Sequence, residues 1–123
     1  MDFTLTDEQE LLRSTAEALL GKECPPSLVR ASIDDGGAVG PLWDRLREWV
    51  VLGDGPLVDH CLFLEQTGLA LAPGPYLATS ALFLPLLRAA GYPLAGAAAA
   101  GDASGTVALL FDDELLPFAL DVD

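Results

Sequence analysis

Glu65 is a carboxylate on an apolar-periodic stretch that runs into the corner Pro73-Gly74-Pro75. An acid so placed could touch a substrate, but its ordinary role is a solvated or capping one. His60 beside Cys61 has the residue types of a metal pair and no partner at ligand spacing. Ser80, His60 and the aspartates form no nucleophile-elbow or triad-type motif. Gly101-Asp-Ala-Ser-Gly105 precedes a β-prone run, whereas a phosphate loop should join a strand to a helix. Asp34-Asp35 and Asp112-Asp113 read as solvated turns. Trp43 and Trp49 could form a ligand platform, and core packing is the better reading, since Trp49 falls on an apolar stripe. These residues therefore assign no catalytic, cofactor-binding or metal-ligating position.

Composition narrows the remaining classes. Nineteen acidic against six basic side chains give a net charge of −13. Such a surface repels phosphate backbones and anionic membranes, so neither nucleic acid nor membrane is expected as a partner. No stretch of about 18–20 apolar residues runs unbroken, and Asp2, Asp7 and Glu8 stand where a secretion signal needs positive charge. A soluble, cytoplasmic protein is expected. Cys24 and Cys61 are accordingly expected to be free, buried thiols.

Periodicity places these residues on helices. Thr6 and Gln9 read as a capping box ahead of a helix whose apolar face is Leu11, Leu12, Thr15, Ala16, Leu19 and Leu20; Pro25-Pro26 stops it. Ser27 can cap a short helix over 28–33, closed by Asp34-Asp35-Gly36-Gly37. Pro41 suits the first turn of the next, with Leu42, Leu46, Trp49 and Val50 as its buried stripe. In the following helix Leu57, Cys61, Leu64 and Gly68 recur at helical spacing beside Val58, Leu62 and Leu69, which predicts that this face is buried. Gly68 costs roughly 1 kcal/mol of helix propensity, so it fits best where another helix approaches closely. Residues 76–90 read as helix, with Pro85 as a kink or restart, and 93–100 as a short alanine-rich helix. Then the period changes: 106–111 is β-prone, and 115–122 could pair back.

Three of these segments, taken in order, resemble the acyl-CoA dehydrogenase family. They are MDFTLTDEQELLRSTAEALL, PLWDRLREWVVLG and LEQTGLALAPGPYLATSALF, the last similar to a Leu-Glu-x-x-Gly-x-x-Leu-Ala-Pro-x-Pro helix end. The resemblance covers about residues 1–111. It implies a mainly α fold, a bundle of about five to six helices with a short carboxy-terminal β hairpin. Residues 1–104 would be the family's amino-terminal helical domain and 105–123 the first strands of an incomplete β domain, as in a fragment or degraded paralogue.

The family oxidises the Cα–Cβ bond of acyl thioesters, with a glutamate as base and FAD as hydride acceptor. Its flavin-contacting Thr-Glu-Pro and Gly-Ser-Asp elements do not occur here, and its catalytic glutamate belongs to the later bundle. Where the family usually has a Pro-Glu-x-x-Gly-Gly loop, this chain has a shortened one, residues 51–56. The resemblance thus implies an acyl-pocket wall and oligomer contacts without catalysis by this chain alone. FAD would belong to the complete enzyme or complex, with none on this chain by itself. The partners would be the β domain and carboxy-terminal bundle or a partner subunit, and acyl-CoA met through the complex. The other reading is a stand-alone, non-catalytic helical interaction module.

Overall fold

The computed structural model describes residues 3–35, 39–111 and 114–117. Its order is α1 (Asp7–Glu23), α2 (Pro26–Asp35), α3 (Gly40–Leu46), a 3-10 segment (Arg47–Asp54), α4 (Leu57–Leu69), a π-helical turn (Ala78–Phe83), α5 (Leu84–Ala89), α6 (Ala95–Ala99), β1 (Ala108–Phe111) and β2 (Glu114–Pro117). The fold is mainly α, with one antiparallel hairpin that sets Ala108 opposite Pro117 and Phe111 opposite Glu114. The expected turn residues Asp112-Asp113, the glycines Gly36-Gly37 and the far end of the expected second strand lie outside the described residues.

The capping box forms as the sequence requires. The Gln9 amide donates to Thr6 Oγ1 at 3.2 Å, and the Thr6 amide donates to Gln9 Oε1 at 3.1 Å. Asp7, Glu8 and Glu10 follow in the first turn, where the helix dipole favours negative charge. Ala16 and Leu20 carry the buried face of α1, while Leu11 and Thr15 point to solvent. α2 begins at Pro26, a position that needs no amide donor, so Ser27 lies inside the helix rather than capping it.

Leu42, Leu46 and Val50 are buried as the stripe requires, although the chain tightens into the 3-10 segment after Leu46. That change of pitch brings Trp49 over Phe63 in a stacked pair, ring centroids 4.6 Å apart. Tyr76 leans on the other side of Phe63 at 4.9 Å. Phe63 is fully buried, and Leu20, Leu42, Leu46 and Leu84 surround the same core.

α4 corrects one expectation. The residues it buries are His60, Leu62, Phe63 and Gln66, whereas Leu57, Cys61 and Gly68 are exposed. The regular apolar repeat faces outward, while the opposite side, which mixes Leu62 and Phe63 with His60 and Gln66, faces the core. Cys61 is therefore an exposed thiol and Cys24 a buried one; both are free.

Pro85 explains the π-helical turn. A proline ring clashes with the carbonyl four residues back and supplies no amide hydrogen. Widening the preceding turn moves that carbonyl away, and the Leu84 amide reaches back to Thr79 instead. The Ser80 carbonyl, which the amide of residue 85 would have met, faces Gly53: a Cβ there would collide with the Ser80 oxygen. Only glycine lets the 3-10 segment lie this close, and its Cα hydrogen points at that carbonyl.

Candidate functional site

The polar side chains that sequence separates meet where α4 packs on the π-helical turn. Ser80 is fully buried and donates its one proton to the Tyr76 carbonyl at 2.7 Å, a bond one helical turn back. His60 Nε2 lies 2.9 Å from Ser80 Oγ, so with that hydroxyl proton already committed the imidazole must donate. Burial holds the His60 pKa below its usual value, and the ring is neutral with its proton on Nε2. The Tyr76 hydroxyl donates to the Trp49 carbonyl at 2.7 Å, and burial pushes its pKa well above the usual phenol range.

This arrangement has the members of a serine–histidine dyad and the wrong proton order for one. A base must accept the serine proton, yet here the imidazole nitrogen facing Ser80 already carries one. Ser80 and Thr79 are also closed to solvent. Thr79 Oγ1 instead takes the Gly105 amide at 3.2 Å and so ties the helical body to the approach to β1. The polar cluster ties α4 to the π-helical turn. Sequence reasoning missed it, because no local pattern connects residues 60 and 80; only the four-residue step from Tyr76 to Ser80 was visible.

Glu65 is exposed on the outer side of α4. It borders an open groove of about 470 Å³ whose other walls are Leu57, Val58, Cys61 and Leu62. It makes no ion pair among the described residues. Trp49 is half-buried in the core stack and offers no free platform. Among the described residues no three His, Cys, Asp or Glu side chains are grouped to hold a metal ion.

Five of the six cations are engaged. Arg88 grips Asp54 through Nε, at 3.1 Å from each carboxylate oxygen, and through Nη2 at 2.5 Å. Arg47 pairs with Asp102, Arg45 and Lys22 with Glu23, and Arg13 with Glu10. Arg30 alone makes no ion pair among the described residues. It lines a groove with Pro26, Val29, Leu69, Ala70 and Leu71.

The fold and this site define a helical domain with a buried polar cluster and with exposed apolar residues on the outer side of α4. The chain is related to the acyl-CoA dehydrogenase family. It is 36% identical over 95 aligned positions to acyl-CoA dehydrogenase IpdE2 of Mycolicibacterium smegmatis, a match covering 68% of this chain and 30% of that protein. It is 35% identical over 100 positions to acyl-CoA dehydrogenase IpdE2 of Mycobacterium tuberculosis, covering 72% of this chain and 31% of that protein. The match thus spans less than a third of the length of these curated relatives. No family model matches the chain. No solved structure matches it. Among the described residues no helix is long and apolar enough to cross a membrane.

Proposed function

We propose that this chain acts as the amino-terminal helical domain, or a subunit equivalent to it, of an acyl-CoA dehydrogenase-like flavoprotein that desaturates acyl-CoA thioesters. The observation that carries this reading is the match to two acyl-CoA dehydrogenases over about 70% of the chain, confined to 30–31% of theirs. In this role the helices contribute one wall of the acyl pocket and contacts within the oligomer. FAD and the catalytic glutamate come from the β domain and bundle, and acyl-CoA is met through the assembled complex. The engaged cations support this division of labour, since five of the six basic side chains are paired with the chain's own carboxylates.

The test is spectroscopic. The purified 123-residue chain is expected to retain no flavin and to oxidise no acyl-CoA. Co-expressed with a polypeptide carrying the β domain and bundle, it should elute with visible flavin absorbance in a common peak. Stoichiometric flavin on the isolated chain, or turnover by it, overturns the proposal. The alternative is a stand-alone helical interaction module, and the core that closes around Phe63 favours it. Failure to enter any flavin-bearing complex would decide for that module.

A further inference from the structure

We propose that the outer edge of β1 takes a strand from a different polypeptide, flanked by basic residues and held by main-chain hydrogen bonds at Ala108 and Leu110. The alternation of the hairpin fixes which groups point outward. Phe111 and Glu114 stand opposite each other across a two-residue connection, and a pair so close to the turn can join the ladder only by bonding to each other. Leu109 and Leu116, one step further on, are again a bonded pair. The pairs between, Leu110 with Leu115 and Ala108 with Pro117, turn their main-chain groups away from each other and onto the two outer edges.

Those two edges are not alike. β2 offers one outward amide, that of Leu115, because Pro117 has none, and Glu114 adds a charge to the strand. Proline and charge are both devices that close an edge to further pairing. β1 offers an amide and a carbonyl at each outward position, and residues 106–111 contain neither charge nor proline. Ala108 is exposed, and among the described residues no helix packs extensively on either strand. One side of the hairpin is thus blunted and the other is open. The open edge is also held in place where it leaves the helical body, by the Gly105 amide on Thr79 Oγ1 at 3.2 Å and by the Phe83 ring against Gly105. A strand fixed at its start and unpaired along one edge suits β-strand addition, in which main-chain bonds supply the affinity.

Charge selects the occupant. Each copy of this chain carries −13, and three acids, Asp112, Asp113 and Glu114, directly follow β1. Like charge on that scale opposes edge-to-edge pairing of two copies. The same acids favour an incoming strand with lysine or arginine at its ends. The choice of a foreign strand rests on the function proposed above, in which a larger remainder joins this chain. The asymmetry of the two edges does not depend on that reading.

The experiment uses the full chain and a fluorescein-labelled peptide of about eight alternating valines and threonines with lysines at both ends, the length of an ordinary strand. Fluorescence anisotropy should show saturable binding. The same peptide N-methylated at every amide of the valine–threonine run keeps its side chains and loses its donors, so it should bind at least about tenfold more weakly. A version with glutamates at its ends should be weaker by a similar factor, about tenfold, at low salt. Ala108→Pro removes an outward amide of β1 and no bond to β2, and should weaken binding about tenfold or more with the circular dichroism of the chain unchanged. Leu115→Pro does the same to β2 and should leave binding as it was. Hydrogen exchange of the unmodified chain decides the edge without any substitution: saturating peptide should slow Ala108 and Leu110 about tenfold or more and leave Leu115 at its former rate.

Absence of saturable binding, equal affinity for the N-methylated or the glutamate-ended peptide, or protection of Leu115 in place of Ala108 and Leu110 overturns the proposal. Sedimentation of the chain alone should show a monomer. A concentration-dependent dimer abolished by Ala108→Pro would assign the edge to a second copy and overturn it too. None of these measurements involves flavin, so their failure is separable from failure of the proposed function.

Discussion

His60 is the chain's only histidine, and its surroundings decide its charge. It is buried, and its Nε2 hydrogen is committed to Ser80 Oγ. Desolvation lowers its folded-state pKa, while in the unfolded chain it titrates near the ordinary value of about 6.5. Below that pH the unfolded state therefore binds more protons than the folded state, and stability falls as pH falls. The loss begins near the unfolded pKa and continues as pH falls through the depressed folded one. His60→Gln keeps an amide donor for Ser80 and removes the titration. Thermal melts from pH 7 to pH 5 should show the parent losing melting temperature faster than this variant. Parallel curves would mean that His60 does not govern acid sensitivity in that window. Tyr76 and Phe63 show a different kind of constraint at the same scale. The Tyr76 ring packs and its hydroxyl reaches the Trp49 carbonyl, so a single side chain joins the residues just before the π-helical turn to the 3-10 segment.

At the scale of elements, glycines record where segments touch. Gly53 faces the Ser80 carbonyl so closely that a methyl group would collide with backbone, and backbone cannot move aside as a flexible side chain can. Gly53→Ala is expected to destabilise by about 1–3 kcal/mol, the usual cost of overpacking. Gly21→Ala is the control: nothing lies within 4 Å of its Cβ position in α1, so it should gain up to about 1 kcal/mol from helix propensity. Urea denaturation of the two variants checks the contrast, and a neutral Gly53→Ala would show that the two segments are not held together at this point. Neither contact was legible in the sequence. The Thr6–Gln9 box, the Leu42–Leu46–Val50 stripe and the stop at Pro25-Pro26 were, since each depends on neighbours within one or two turns. The side of α4 that is buried was not. Periodicity reports where apolar residues recur, and the packing of α1 and of Trp49 on Phe63 selects the side that turns inward, with His60 and Gln66 on it. The π-helical turn was half legible: Pro85 announced a disturbance, while its form depends on the Gly53 segment across the interface. The same limit hid the His60–Ser80 bond, which joins residues twenty positions apart.

At the scale of the molecule, the helical body and the hairpin are held by different kinds of contact. The body closes around Phe63 with leucines from α1, α3 and α5. The hairpin has two four-residue strands in one two-stranded sheet, and two strands alone are marginal in water. Pro117, opposite Ala108, has no amide hydrogen to give to the ladder. The approach to β1 is better secured: the Gly105 amide bonds to Thr79, and the Phe83 ring lies flush against Gly105, leaving no room for a Cβ. Protection should therefore be high up to Gly105 and fall beyond it. Hydrogen exchange of the isolated chain is expected to show amides from Val107 to Phe111 exchanging well before those from Leu62 to Leu69, because local opening of a two-stranded ribbon leaves the core around Phe63 intact. An open strand edge also accepts another strand, so a partner supplying one should slow exchange at Val107–Phe111 and leave Leu62–Leu69 unchanged. Equal protection of the two segments in the isolated monomer would show that the hairpin opens only with the whole fold. Residues 1–117 would then behave as one cooperative unit that needs no further sheet, and the proposed dependence on a separate β domain would lose its structural basis.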